Sequence, residues 1–285
     1  MTTKPGFRQR LSLYIRNAPV TRTPILRAMS LLRRLQWAPH GVYTLCYHHV
    51  PAEHGENFAR QLAHFARNGT FVSADKAVEL VRSGKARNGR YFVVSFDDGY
   101  DDMIDVALPA LVSRRVPAMA FVVPAWLRRT RSAGPSGRQM SRTDLAAWRE
   151  SGMDVGSHTQ SHRKLAELAD DEARYELSRS AEVLTELTGE APRHFASPWG
   201  VPGRDFRPER DTRLAKAAGY RSFFTTQRGV ATGPEQLWRM PRHVVEPYWP
   251  LHVIDALVGG FPMSQSLPSR SSRMETSTAR SGQGG

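Results

Sequence analysis

The sequence predicts an α/β fold, a distorted (β/α) barrel with about seven parallel strands. From residue 41 onward, short apolar runs alternate with amphipathic helical patterns, and this alternation is typical of a mainly parallel sheet. About seven such repeats follow within roughly 200 residues, the amount of chain that a closed or nearly closed barrel needs. We therefore expect one barrel domain over residues 41–261, between an N-terminal arm (1–40) and a C-terminal tail (262–285).

The strands of this barrel are predicted from short apolar runs, and the helices from the helical patterns between these runs. The predicted strands are Val42–Tyr47, Tyr91–Phe96, Ala118–Val123, Asp154–His158, His194–Ala196, Arg221–Thr225 and Pro241–Val245. The predicted helices cover 57–67, 74–83, 102–114, 142–151, 171–187 and 211–218, and residues 128–140 read as a basic loop. Ser141 and Asp144 form a capping-box pattern at the start of the fourth helix.

The net charge of +13 is concentrated at the two ends of the chain. Residues 1–40 carry one lysine and seven arginines with no acidic residue, and residues 262–285 carry a further net charge of +2. The predicted barrel is left with +3, so it lacks the clustered basic face of a nucleic-acid-binding domain. We expect no nucleic-acid partner. The lone cysteine, Cys46, excludes an intramolecular disulfide and is expected to be a buried residue of the first strand.

The basic arm contains one amphipathic helix, predicted over residues 24–37. Thr23 suits the N-cap and Pro24 the first helical position. Its apolar residues share one side and its arginines the other, so the helix either lies on an anionic membrane surface or covers the barrel with its arginines in water. No run of about 18 apolar residues occurs and arginines interrupt any secretory signal, so we expect a bacterial cytoplasmic protein at the inner membrane face. The tail 262–285 has almost no apolar residues and is expected to be disordered.

Two adjacent carboxylates follow a buried strand in the sequence Val93-Val94-Ser95-Phe96-Asp97-Asp98-Gly99. The carboxyl ends of barrel strands converge on one face, so Asp97 and Asp98 are expected there. Neighbouring carboxylates repel each other and resist burial, so a cation or a shared proton is needed to hold them. The alternative is a plain turn before a helix.

Two histidines spaced four apart, His158 and His162, follow the strand that begins at Asp154. This spacing can place both imidazoles on one side of a helical turn, where they bind one ion. With one carboxylate they form a set of two nitrogens and one oxygen, which suits one divalent ion: zinc first, with cobalt, iron, nickel and manganese as alternatives. A zinc-protease helix is excluded, because Thr159 stands where that motif has glutamate.

At these residues the chain resembles the polysaccharide deacetylases of carbohydrate esterase family 4, which are related to the nodulation chitooligosaccharide deacetylases. Phe96–Tyr100 resembles the first family motif, His158–His162 the second, and Phe195–Gly200 the third. The opening strand, Leu45–His49, resembles that of one subgroup. The resemblance covers roughly residues 41–245.

This resemblance implies a role for each matching residue. Asp97 would be the general base, and the backbone N–H of Tyr100 would stabilise the oxyanion. Asp98, His158 and His162 would bind the metal. Pro198, Trp199 and Gly200 of the third motif would line the substrate groove, with Trp199 offering an apolar platform to a sugar ring, although it could equally be packed in the core.

Two roles of the family lack an obvious residue. The family arginine that orients the base corresponds to Ala196, so Arg242 or Arg239 would have to replace it, with Arg193 as the nearest alternative. The proton donor would be His252, which follows Leu251, while His48 and His49 compete for that role because they lie nearer the barrel mouth.

The sequence therefore predicts a metal-dependent hydrolase that removes acetyl groups, N-acetyl foremost, from a carbohydrate or glycolipid intermediate. Three alternatives stay open. The chain could be an inactive metal-binding barrel that binds glycans or serves as a scaffold, a hydrolase of other non-peptide C–N bonds, or a nucleic-acid-binding protein that acts through its basic arm.

Overall fold

The computed structural model describes residues 22–35, 39–134 and 136–259. The predicted tail and the first 21 residues of the arm lie outside this range. The strands of the described chain are β1 (Gly41–Tyr47), β2 (Thr70–Phe71), β3 (Arg90–Asp98), β4 (Ala118–Val122), β5 (Ser132–Ala133), β6 (Arg138–Gln139), β7 (Asp154–Ser157), β8 (His194–Ala196), β9 (Ser222–Phe224) and β10 (Arg242–Val244). The helices are α1 (Arg22–Leu35), α2 (Gly55–Asn68), α3 (Ala74–Arg82), α4 (Leu108–Arg114), α5 (Arg142–Glu150), α6 (Asp170–Thr188), α7 (Pro208–Ala217) and α8 (Leu251–Leu257).

The main sheet is a parallel barrel that is nearly closed. Seven strands follow one another in the order β10-β1-β3-β4-β7-β8-β9, every neighbouring pair is parallel, and β2 adds to β3 from outside this path. The two ends of this order meet through the segment before β10, where Met240 forms a parallel bridge with Phe224 of β9. The predicted barrel with about seven parallel strands is confirmed.

The strands are buried on both faces because helices cover the outside of the barrel. In β3, the side chains alternate between two clusters: Phe92, Val94 and Phe96 pack under the helices, whereas Val93 packs with Met119, Phe121 and Phe224 inside the barrel. Val93, Ser95 and Asp97 alternate with these residues and therefore lie on the same face of β3. This alternation directs the Asp97 side chain to the interior of the barrel.

Several parts of the fold differ from the sequence prediction, among them the short strand β2, which was not predicted. The predicted loop 128–140 contains the antiparallel hairpin β5–β6, and the last helix, α8, was not predicted. The predicted helix 102–114 begins as a wide π-helical turn at Met103–Ala107 and continues as α4, with Pro109 in the first α-helical turn. Because proline lacks an N–H, it cannot continue the hydrogen-bond ladder of the preceding turn.

The N-terminal arm contributes α1, which lies against α8 and the core. Leu26 is buried, and the Ser30 hydroxyl donates to Oδ2 of Asp255 in α8 at 3.5 Å. No described helix has both the length and the apolar content required to cross a membrane.

Candidate metal centre and active site

Asp97 is a buried carboxylate that is held by a buried arginine. The Arg242 guanidinium, from β10, donates from Nη1 to Oδ1 of Asp97 at 2.6 Å and from Nη2 to Oδ2 at 2.8 Å, and both side chains are almost fully buried. Burial alone would raise the pKa of Asp97, but the charges of Arg242 and His158 outweigh it and hold this pKa well below its usual value. Asp97 is therefore ionised and fixed in orientation at neutral pH.

Arg242 thus occupies the place left open by Ala196. Its Nε also donates to the backbone carbonyl of Thr225 at 3.0 Å, which fixes the guanidinium plane. The other two candidates pair elsewhere: Arg239 lies on the surface near Glu209, and Arg193 binds Asp75 and Glu190 at the opposite end of the strands.

Asp98, the last residue of β3, has a φ of +74°, and its carboxylate approaches Nε2 of His158, which also lies 3.8 Å from Oδ2 of Asp97. Oδ1 of Asp98 lies 3.2 Å from Nε2 of His162 and 3.5 Å from Nε2 of His158, yet it is buried without a hydrogen-bond partner. Burial would raise the pKa of Asp98, but the two neighbouring imidazoles lower it below the usual value.

His158 follows β7 directly and is fully buried. Its Nδ1 lies 2.8 Å from the backbone carbonyl of Ala196, an acceptor only, so Nδ1 carries the proton and Nε2 presents its lone pair to the site. Burial lowers the pKa of His158 to about 4, because the charged form is poorly solvated there. The imidazole is therefore neutral at neutral pH.

His162 reaches the same point from an irregular loop, and the helical turn considered for the histidine pair is not formed. Thr159 and His162 have φ values of +62° and +60°, and the Thr159 hydroxyl accepts the His162 backbone N–H at 2.9 Å. Glu176 of α6 fixes the loop from below by accepting the Ser161 backbone N–H at 2.8 Å and its hydroxyl at 2.5 Å.

The donor set of Asp98, His158 and His162 fits a divalent cation. The ligand atoms of the three residues all lie within 4.8 Å of one another. A carboxylate oxygen without a donor faces the lone pair of a neutral imidazole, so two acceptors oppose each other with no proton between them. A cation between these atoms relieves the repulsion, and two nitrogens with one oxygen are a ligand set typical of catalytic zinc.

A second group, Cys46, His48 and Asp97, also brings three ligand atoms within 4.8 Å of one another. It is a poorer cation site. Both oxygens of Asp97 already accept from Arg242, whose positive charge repels a metal ion. Burial raises the pKa of Cys46 well above its usual value, so its sulfur is a thiol that donates to Asp97 at 3.4 Å.

Tyr100 lies beside the hairpin, with its backbone N–H turned away from it. The two hydrogen bonds that join these segments run from Met140 N to Gly99 O (2.9 Å) and from Asp101 N to Arg138 O (3.0 Å). In this antiparallel pattern the residue between them, Tyr100, forms a non-hydrogen-bonded pair and its N–H points away from the partner strand. The N–H is thereby available on the side away from the hairpin.

The third motif forms one wall of the site. Trp199 is exposed, has a φ of +55°, and its ring centroid lies 4.7 Å from that of His162. Gly200 has a φ of +71°, and a Cβ at this position would lie 2.7 Å from the backbone N of Thr226, so only glycine fits. Pro198, the residue before Trp199, is buried. The Nζ atom of Lys164 lies 5.2 Å from the centre of the Trp199 ring.

The three candidate proton donors lie in different surroundings. His48 is partly buried, within 4.8 Å of a carboxylate oxygen of Asp97. His49 is stacked on Tyr100 and paired with Asp102 at 2.9 Å. His252 lies in α8, where burial and Arg27 of α1 lower its pKa. The predicted role of His252 as proton donor is not tested by these surroundings, and the position of His48 beside Asp97 makes His48 the stronger candidate.

The fold and the site together define a (β/α)-barrel protein with a candidate metal centre at the carboxyl ends of its strands. The family model described as polysaccharide deacetylase matches residues 84–223, which contain both the Asp97–Asp98 pair and the His158–His162 pair. Over this segment the chain is similar to the polysaccharide deacetylase family.

Individual relatives are distant in sequence. YxkH of Bacillus subtilis strain 168, a protein named for this family, is 21% identical over 176 residues, which are 62% of this chain and 59% of YxkH. The match thus spans about three fifths of that relative.

Solved structures share the fold. IcaB from Ammonifex degensii superposes with a TM-score of 0.65 and 23% identity, covering 76% of this chain and 97% of IcaB. The deacetylase PplD from Streptococcus pyogenes, solved in complex with acetate, gives a TM-score of 0.61 and 18% identity over 77% of this chain and 98% of PplD.

Proposed function

We propose that this protein is a metal-dependent hydrolase that removes acetyl groups, N-acetyl foremost, from a carbohydrate or glycolipid. The observation that carries the proposal is the buried Oδ1 of Asp98, which has no well-aligned hydrogen-bond donor and lies 3.2 Å from Nε2 of His162 and 3.5 Å from Nε2 of His158. Asp97, one residue away but held by Arg242, is outside this ligand set and free to act on protons.

In this proposal, Asp98, His158 and His162 bind one divalent ion, with zinc the first choice. When bound, the ion supplies a Lewis acid that polarises the acetyl carbonyl and acidifies water. A carboxylate ligand and two neutral imidazoles leave such an ion with net positive charge, which suits that chemistry. Nδ1 of His158, donating to the Ala196 carbonyl, fixes the ring so that Nε2 stays directed at the site.

Asp97 accepts a proton from the attacking water, as a carboxylate that is ionised, oriented and not used as a metal ligand. Arg242 holds both carboxylate oxygens and thereby sets the direction from which the proton arrives. The Tyr100 N–H donates to the oxyanion that forms on the acetyl carbonyl. Trp199, exposed beside His162, offers its ring face to the sugar.

The leaving amine needs a proton, and we assign its donation to His48. This residue follows β1, the strand beside β3, and lies within 4.8 Å of Asp97. The charges that act on His252 come from Arg27 and Asp255 of the outer helices, whereas His48 acts electrostatically on both Asp97 and Asp98.

The proposal is tested by measuring acetate release from N-acetylglucosamine oligomers with the purified full chain. We expect acetate release to stop when a chelator removes the bound metal and to return when zinc is added. Cobalt, nickel, manganese and iron(II) are added in separate samples to compare how well each ion restores activity. An O-acetylated glycan in parallel separates the two kinds of acetyl group. If the protein binds one equivalent of metal and binds glycans but releases no acetate from either substrate, it is an inactive glycan-binding barrel and the proposal fails.

A further inference from the structure

The N-terminal helix α1 has an apolar side that faces away from the protein. Three large aliphatic residues are exposed there: Ile25 to 55%, Leu31 to 63% and Leu32 to 60%. At 100° per residue these three positions fall on one side of the helix, and Leu26 and Ser30, which are buried against the protein, fall on the other. We call Ile25, Leu31 and Leu32 the outer face of α1.

The opposite side of α1, its inner side, packs against the rest of the protein. The outer face is therefore held in a defined orientation towards the solvent. Leu26 is 2% exposed and belongs to the main core, Met29 packs against that core, and Ser30 donates to Asp255 of α8. Single exposed aliphatic residues are ordinary on protein surfaces, but three on one face of a 14-residue helix form a patch that calls for an occupant.

The positive charge of the N-terminal region indicates which kind of partner would bind the outer face of α1. The α1 sequence holds four arginines and no acidic residue, and residues 1–40 hold eight basic residues and no acidic one. Arg27, between the inner and outer sides, is exposed. A second copy of the chain would bring an equally basic helix to the contact, and like charges would oppose such a dimer.

We propose that the outer face of α1 docks on a lipid bilayer that contains anionic lipids. A helix with an exposed aliphatic face and a basic composition lies in the plane of the interface, where the aliphatic side chains enter the acyl boundary and the exposed Arg27 meets lipid phosphates. The described 14 residues extend about 21 Å, shorter than a bilayer core. This docking is independent of the proposed deacetylase activity.

The test is flotation of the full chain with phosphatidylcholine vesicles, with and without phosphatidylglycerol. We expect binding only to the anionic vesicles, weakened by added salt. The triple variant Ile25→Gln/Leu31→Gln/Leu32→Gln changes only exposed side chains, so it should fold normally and bind on the order of tenfold or more weakly. The matched control is the variant Val112→Gln, because Val112 is an aliphatic residue of α4 that is 49% exposed. This variant should bind the vesicles like the unchanged protein.

Three results would overturn the proposal. One is no binding to anionic vesicles, which would mean that the outer face is covered in the full chain. Another is binding that the triple variant leaves unchanged, which would assign the membrane contact to other residues. The third is a dimer in solution, measured by light scattering, that the triple variant dissociates. Acetate release from soluble oligomers should be equal in all variants, so a failure of this proposal is distinguishable from a failure of the proposed catalysis.

Discussion

Replacing Asp97 with asparagine is expected to lower kcat for acetate release by about a hundred- to ten-thousand-fold, while the protein retains its metal. The amide of Asp97→Asn cannot take up a proton from the attacking water. It can still accept one hydrogen bond from Arg242, so the site should keep its shape. Because Asp97 lies outside the set formed by Asp98, His158 and His162, metal content should not change.

Steady-state kinetics and elemental analysis on the same preparation measure the two quantities together. Asp101→Asn is the matched control, since Asp101 lies on the same turn but pairs with Arg131 and Arg138, which lie outside the metal-ligand set. Its kcat should remain within a few fold of the unchanged protein. A fully active Asp97→Asn protein would remove Asp97 from the role of general base.

Replacing Arg242 with methionine is expected to cost about 3–5 kcal/mol in free energy of unfolding, in addition to most of the activity. Methionine approximates the length of the aliphatic stem but leaves the buried Asp97 carboxylate without its partner. A buried charge without a counter-charge is poorly solvated, and that penalty is borne by the folded state alone. Denaturant unfolding measures the loss as a lower midpoint.

The control and the double variant separate charge pairing from packing. Arg239→Met removes an exposed arginine whose contact with Glu209 is 3.6 Å long, so its cost should stay below about 1 kcal/mol. Asp97→Asn/Arg242→Met should lose less stability than the two single variants combined, because the second change removes the charge that the first left unpaired. If Arg242→Met unfolds at the same denaturant midpoint as Arg239→Met, the Asp97–Arg242 ion pair does not contribute the predicted stability.

The sequence was sufficient for the barrel because its strands are marked by local patterns. The run Tyr91–Phe96 has apolar residues on both faces, as expected of a strand that is covered on both sides, and the position of Asp97 and Asp98 follows from where that run ends. The spacing of His158 and His162 singled out the pair, although the helical turn that this spacing suggested is not formed.

What the sequence did not determine depends on contacts between distant residues. Arg242 is 145 positions from Asp97, and the sequence could not choose between Arg242 and Arg239, with Arg193 as the alternative, until the barrel placed β10 against β1. The hairpin in residues 128–140 is anchored by Arg131, whose guanidinium binds Asp105 and Asp144. No local pattern encodes such pairings. The left-handed conformation of His162, a non-glycine residue, was equally invisible to periodicity.

The most direct test of the account is the metal stoichiometry of four purified proteins: the unchanged chain, Asp98→Ala, Asp97→Asn and Cys46→Ser. The account predicts one divalent ion per chain in the unchanged, Asp97→Asn and Cys46→Ser proteins, and a loss of bound metal in Asp98→Ala. Retention of the ion by Asp98→Ala together with its loss from Cys46→Ser and Asp97→Asn would place the metal in the second group, with Cys46 and His48, and would contradict the account.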